Sequence, residues 1–505
     1  MLTGVKSESR KFLILRAARS PLIRLIFLGL VLGFAFQGTR GLWSPDEGRY
    51  VGGALQMLDS GNYLAPAYSS DRPNFSKPPM TYWIIAAAIK IFGRNTWAAR
   101  APYAAAFVFT LWLLHAIGAQ LIPQRPWLPG VIYACALFPF LTANIVSTDV
   151  FLTLFEAAAM LGFLRWAFAQ GEPGRRYLLL MWLGFGLAFL TKGPPGLIPL
   201  LAVLPFVVVR DGWKGLRAIF HAPGLAVFSV IGLFWFAVVM LRYPWLPHYF
   251  AHREIYQRLF TGAQRRHPGA FGWAAVYVPT LVLGSLPWWP LLKRELRAVF
   301  KTDKWSRWGR ERSIELFLAL WLFVPLVVFC LSQSRLPLYI LPLFIPLSLI
   351  AALALRDTFD LGTTRQRFWL FAWIIVLLAA KACVGYLLHP VEDNRLSARQ
   401  LAALTEKASY SSLVFVEDTA FDYDVEEQTP WGLRLYMNKP VYGVAWRLPE
   451  GPAEVCRALR VRPALLVIDR AIGPAEVNAA LARCRVRNVI RSGSWRTNAL
   501  ELVQG

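Results

Sequence analysis

The feature that most constrains this chain is a succession of apolar runs, many of them close to the ~20 residues a helix needs to cross a bilayer, separated by short turns rich in Lys and Arg. With 505 residues, 56% of them hydrophobic, 17% charged and a mean hydropathy of +0.42, the chain is too apolar for a soluble enzyme of this size. It reads as a mainly α, polytopic membrane helix bundle. Spans are expected at 20–37, 97–121, 127–145, 150–168, 177–190, 197–209, 223–241, 271–292, 314–331, 336–355 and 369–388. The run Met80–Phe92 is apolar but short. Laid along the interface or re-entering, it lets every later basic turn fall on one side of the membrane. The result is about eleven crossings, or about thirteen if that run pairs with another short one, and either odd number leaves the C-terminus outside.

A net charge of +24 is compatible with nucleic-acid binding only if the basic residues form a patch. They lie instead in the turns, most densely in KRELRAVFKTDKWSRWGRER at 293–312, which is the distribution of cytoplasmic loops. The basic N-terminal stretch from Lys6 to Arg24 leads into the first span without a small-x-small closing site, so an uncleaved signal anchor is expected. Five cysteines show no C-x-x-C spacing, and Cys135, Cys330 and Cys383 fall in apolar spans as packing residues.

Residues 390–505 change character and mark a boundary, with 1–389 as the membrane domain and 390–505 as a soluble domain outside. Strands are expected at Ser411–Val416, Leu433–Met437, Leu465–Ile468 and Leu500–Val503, and helices at Pro452–Leu459 and Pro474–Arg483, so a small α/β fold is predicted. Cys456 and Cys484 both lie there, a candidate disulfide in an oxidising compartment, although spacing alone does not give their separation.

The polar stretch 43–83 stands out between the apolar runs. Asp46 and Glu47 are adjacent, Arg49 and Tyr50 follow, and Lys77 precedes Pro78-Pro79 and Tyr82. Such acid pairs are usually solvated loop residues, so their company decides the reading. A second polar loop, 242–269, is placed outside by the alternation of spans yet carries Arg242, Arg253, Arg258, Arg265 and Arg266, against the rule for outward loops. Phosphate binding gives those cations a purpose, and general contact with anionic headgroups is the alternative. Lys192, in TKGPP between apolar runs, is costly unless it pairs or reaches a watery cavity. Arg335 and Tyr339, four residues apart, are expected on one face, where they can hold a single anionic group.

The order Trp43, Asp46, Glu47, Tyr50, then Gly61, Tyr63, Pro66, then Phe75, Lys77, Pro78, Pro79, Tyr82, Trp83 resembles the first extracytoplasmic loop of bacterial aminoarabinose transferases and of the related protein mannosyltransferases. Ser147–Asp149, Thr191–Pro194, Glu254 with Arg258, and Ser334–Pro342 continue the resemblance in order over about residues 40–345. The resemblance implies a GT-C type bundle in the bacterial inner membrane, a polyprenyl-phosphate sugar donor such as undecaprenyl-phosphate sugar, inversion at the anomeric carbon, and a lipid acceptor such as lipid A or a protein acceptor. It implies Asp46 as base, Glu47 and Asp149 as further catalytic-site acids that position the acceptor or fix the cations, and Lys77, Arg258, Arg335, Tyr339 and Lys192 around the donor phosphate. Arg49, Tyr50 and Tyr82 are expected to line the acceptor pocket. No cofactor and no nucleic-acid partner are implied. Relatives often carry an acid and a His that can hold a metal where this chain has Ser76 and Ile255, so no metal is expected, and Arg335 stands where Lys is frequent. These departures leave the sugar open among aminoarabinose, galacturonic acid, a hexosamine or a neutral sugar. A transporter of the same lipid is the rival reading, but internal repeats and midplane polar residues are not evident.

Overall fold

The computed structural model describes residues 20–69, 72–169, 174–252, 266, 267, 269, 271–289, 291, 313–388, 390–406, 409–460, 463–484, 486, 488–496 and 498–504. The chain forms two compact units, Met1–Ala35 with Ser76–Pro78 and Tyr103–Ala380, and Phe36–Phe75 with Pro79–Pro102 and Lys381–Gly505.

The first unit is helical. Seven helices among the described residues are long and apolar enough to cross a membrane: Thr96–Leu121, Thr148–Ala167, Pro194–Ile219, Ala222–Arg242, Ile314–Leu331, Pro337–Leu355 and Thr364–Tyr386. Pro21–Phe34 and Gly272–Gly284 are shorter apolar helices. Without a hydrophobic force between helices in lipid, close packing holds them, and small residues permit it. A Cβ on Gly184 would stand 2.5 Å from the backbone nitrogen of Ala159, and one on Gly162 2.5 Å from the carbonyl of Tyr177, so the helices Thr148–Ala167 and Arg176–Lys192 touch backbone to backbone. Aromatic rings fill the space beyond, Phe163 and Phe206 lying 4.9 and 5.0 Å from Phe317 between ring centroids. Phe368, Trp369, Phe371 and Ile375 on the last helix are exposed, as residues facing lipid tails are.

The span expected at 127–145 is not one helix. It breaks into Leu128–Cys135 and Leu137–Thr142 at Ala136, whose ψ of 132° is extended. Pro139 explains the break, since it lacks an N–H and its ring displaces the carbonyl four residues back. That carbonyl, of Cys135, accepts from Trp373 Nε1 at 2.8 Å, while the Leu137 N–H donates to Leu286 O at 3.0 Å. The expected span 271–292 is likewise not one helix: Gly272–Gly284 is followed by a turn at 285–288, and helical residues resume at 289.

The second unit joins most of the polar stretch to the C-terminal residues. What the sequence presents as a loop contains a 15-residue helix, Asp46–Ser60. Asp46 and Glu47 in its first turn suit the positive end of the helix, and Gly61 closes it at φ 71°, a conformation cheap only without a Cβ. The hairpin β1 (Ala67–Ser69) and β2 (Arg72–Pro73) follows, then the helix Met80–Phe92, which packs on Asp46–Ser60 where Gly53 admits the ring of Tyr82.

The C-terminal residues form a five-stranded sheet in the order β4-β3-β5-β7-β6, with β3 Ser412–Glu417, β4 Val441–Ala445, β5 Ala464–Asp469, β6 Asn488–Trp495 and β7 Asn498–Gln504. β3 pairs parallel with both β4 and β5, and β7 runs antiparallel to β5 and β6. Every residue of β3 is buried, as expected for a strand covered on both faces. One face packs on Gly451–Ala458 and Pro474–Arg483, joined by the Cys456–Cys484 disulfide, and the other on Asn394–Leu404, Trp431 and Tyr68.

The strand expected at Leu433–Met437 is a short helix, closed by Asn438 at φ 51°. The alternation in LRLYM imitates a strand because Arg434 is also buried, its guanidinium donating to Asp59 at 2.8 Å. β4 and β6 complete the sheet where no strand was expected.

Candidate active site

In the second unit the N-terminus of the Asp46–Ser60 helix is held by residues some 350 positions later. Ser44 N donates to Glu392 O at 3.0 Å, Asn394 N to Leu42 O at 2.8 Å, and Gly41 N to the Asp393 carboxylate at 3.2 Å. From this anchored start the two adjacent acids diverge. Glu47 turns inward and accepts from Arg40 at 2.7 and 2.8 Å, from Arg100 at 2.6 and 3.2 Å and from the Trp43 N–H at 2.9 Å. Burial alone would raise its pKa, but Arg100 and Arg40 outweigh it and bring the carboxyl down to about 2. Arg40 also lies 4.3 Å over the ring of Trp43. Glu47, expected beside Asp46 to position the acceptor or to fix cations, holds the two guanidinium groups of Arg40 and Arg100.

Asp46 turns outward, its side chain 43% exposed, and pairs with Arg49 one helical turn on. The other arm of Arg49 donates to Glu427 at 2.8 Å. Burial opposes charge on this guanidinium, but Tyr68, Asp46 and Glu427 outweigh that and keep it protonated. Tyr50 and Tyr82 sit with their ring centroids 5.7 Å apart. Asp46, Arg49, Tyr50 and Tyr82 therefore share one region of this unit.

The first unit brings together a different set. Asp149, in the first turn of Thr148–Ala167, is buried and ion-paired with Lys192, the last residue of Arg176–Lys192. An acid at a helix N-terminus and a base at a helix C-terminus each suit their macrodipole. The Lys192 ammonium lies 4.4 Å over the ring of Tyr339. The cost of a lysine between apolar runs is thus met by a carboxylate and a π face.

Arg335 and Tyr339 both lie within electrostatic reach of Tyr277. Arg335 donates to the carbonyls of His267 and Gly269 at 2.9 and 3.0 Å and of Cys330 at 3.1 Å, clamping the described end of the second polar loop. Lys77 is half-buried and donates to Ser76 O at 3.2 Å. Arg253, Arg258 and Arg265 lie outside the described residues.

Other residues of these clusters, Arg40 beside Glu47 among them, were not singled out from sequence. Glu156, 4% exposed and seven residues after Asp149 on the same helix face, lies within electrostatic reach of both Lys192 and Asp149. Its signal was a lone acid in an apolar span. Arg100, a lone base at the start of a span, carried the same kind of signal, whereas Glu427, 378 residues from its partner Arg49, carried none.

The family model for dolichyl-phosphate-mannose-protein mannosyltransferase matches residues 76–241. The undecaprenyl phosphate-alpha-4-amino-4-deoxy-L-arabinose arabinosyl transferase of Enterobacter sp. (strain 638) is 33% identical over 393 residues, 72% of this chain, and the chain spans 66% of that protein. The enzyme of the same name from Aeromonas salmonicida (strain A449) is 29% identical over 449 residues, 85% of this chain and 76% of its own length. Among solved structures, ArnT from Cupriavidus metallidurans bound to undecaprenyl phosphate superposes with a TM-score of 0.72 at 19% identity, covering 95% of this chain and 97% of that one. With that fold, and with these relatives in sequence, the chain belongs to the GT-C superfamily that includes the bacterial aminoarabinose transferases and the protein mannosyltransferases.

Proposed function

We propose that the protein is a multi-pass inner-membrane glycosyltransferase that takes a sugar from undecaprenyl phosphate and places it, with inversion, on lipid A or another envelope acceptor at the periplasmic face. The relatives named as aminoarabinose transferases and the undecaprenyl phosphate bound by ArnT support the donor. In this reading residues 1–389 carry the membrane bundle, and 390–505 lie in the periplasm. The observation that carries the chemistry is the divergence of the two adjacent acids: Glu47 is locked, and Asp46 alone keeps an accessible carboxylate.

In a single displacement the acceptor oxygen attacks the anomeric carbon, the bond from that carbon to the phosphate oxygen breaks, and the lipid phosphate leaves. Asp46 takes the proton of a hydroxyl acceptor, or orients an acceptor phosphate that is already ionised. Lys77, Arg258 and Arg335 are assigned to the departing phosphate by their place in the motifs, and a cation there stabilises the charge that develops.

Purified protein in nanodiscs, given undecaprenyl-phosphate 4-amino-4-deoxy-L-arabinose and lipid A, should yield glycosylated lipid A by mass spectrometry. Asp46→Asn should lower kcat by at least ~100-fold with the fold intact. Lipid movement across vesicles that persists in Asp46→Asn, with no transfer in either protein, would replace the transferase with a transporter.

A further inference from the structure

We infer that Glu427, on the C-terminal sheet domain, is a positioning residue for the transfer reaction, because it holds one arm of Arg49 and so keeps Asp46 open to the acceptor. This rests on the reading of Asp46 as the reacting carboxylate.

One guanidinium serves two carboxylates here. Nη1 of Arg49 donates to Glu427 Oε1 at 2.8 Å and Nη2 to Asp46 Oδ1, so Asp46 receives a single contact rather than the two-point fork that an arginine and a carboxylate form when left alone. The side chain of Arg49 is 13% exposed and that of Glu427 23%, against 43% for Asp46, so Asp46 is the most accessible of the three. Without Glu427 the guanidinium is released to turn both arms onto Asp46 and occupy the lone pairs an acceptor proton requires.

The approach of Glu427 is built into the packing of the helix on the C-terminal residues. Gly48 and Gly52 lie one turn apart on the Asp46–Ser60 helix. A Cβ on Gly48 would meet the Gly432 nitrogen at 2.9 Å, and one on Gly52 the Trp431 side chain at 3.1 Å. The segment 430–432 therefore presses directly on the helix, and Glu427 is carried on the short helix Asp422–Gln428 just before it. Tyr68 lies 5.0 Å from Trp431 between ring centroids, and with Tyr50 and Tyr82 it is a further titratable neighbour of Arg49. A cavity of about 170 Å³ opens beside this contact, walled by Ser44 and Pro45 immediately before Asp46 and by Glu427, Gln428 and Pro430 from the C-terminal domain. The domain after residue 390 thus contributes to the walls next to the reacting acid.

The test uses the full-length protein in nanodiscs with Glu427→Gln and Glu427→Asp. Glu427→Gln should lower kcat roughly 10- to 100-fold with the donor KM within about twofold, since the loss falls on a base and not on donor binding. Glu427→Asp should recover most of the rate. Independently of turnover, carbodiimide labelling of Asp46, read by mass spectrometry against the exposed Asp357, should fall several-fold in Glu427→Gln and recover in Glu427→Asp. Unchanged labelling of Asp46 in Glu427→Gln overturns the inference, as does a loss of rate that Glu427→Asp does not restore. If the labelling responds as expected but the wild-type protein transfers no sugar, the coupling of Glu427 to Asp46 stands and the transferase reading fails.

Discussion

Replacing Glu47 with Gln separates a structural acid from a reacting one, and its cost follows from the structure. The wild-type carboxylate is fully buried and neutralises two buried arginines, Arg40 and Arg100. Lowering its pKa from 4.5 to about 2 corresponds to about 3 kcal/mol of linkage at ~1.4 kcal/mol per unit. An independent scale agrees, since removing one partner of a buried pair costs ~3–5 kcal/mol. Because the folded value lies below the unfolded one, this contribution is complete above about pH 4.5 and is lost as pH falls toward about 2. Glu47→Gln should therefore unfold earlier at neutral pH, by about 6–12 °C for a cooperative unit of roughly 200 residues. The variant should also lose part of the wild-type acid sensitivity between pH 5 and 2, because it has no carboxyl there to protonate. A Glu47→Gln protein that melts within about 1 °C of wild type, with the same acid limb, would refute the reasoning.

Two further outcomes can be checked directly. Asp149→Asn and Lys192→Met each leave a buried charge without its partner and should cost ~3–5 kcal/mol, whereas the double substitution should cost markedly less than the sum, measured as a double-mutant cycle on thermal unfolding. Reducing Cys456–Cys484 opens a loop of 28 residues and should destabilise the C-terminal sheet by about 3.5 kcal/mol, read as faster proteolysis after Val441 is exposed, with the membrane helices unaffected.

The two neighbouring acids carry a general point about motif reading. In sequence Asp46 and Glu47 are interchangeable members of one acidic pair, and a helix sends consecutive side chains about 100° apart. One therefore reaches into the arginine pair and the other reaches out toward Arg49. The same logic divides the cations. Lys192 and Arg335 are both basic residues at the ends of apolar runs, yet the first is paired to Asp149 and the second donates to three carbonyls.

Hydropathy is a local property, so the sequence by itself determined the membrane class, most of the span positions, the α/β character of the last hundred residues and the stretches where polar residues gather. Family motifs added Asp46, Asp149 and Lys192, which the structure sets in two built clusters. Only the tertiary structure decided what each charged group does, because a charge is defined by partners that lie 43 residues away for Asp149 and 378 for Arg49. It also decided that Leu433–Met437 is helical, since the buried Arg434 that imitates a strand pattern is buried by its pairing with Asp59. The union of the first polar stretch with the C-terminal sheet had the same origin: Tyr68 and Trp431, Gly48 and Gly432 meet through contacts that no local pattern of hydrophobicity encodes.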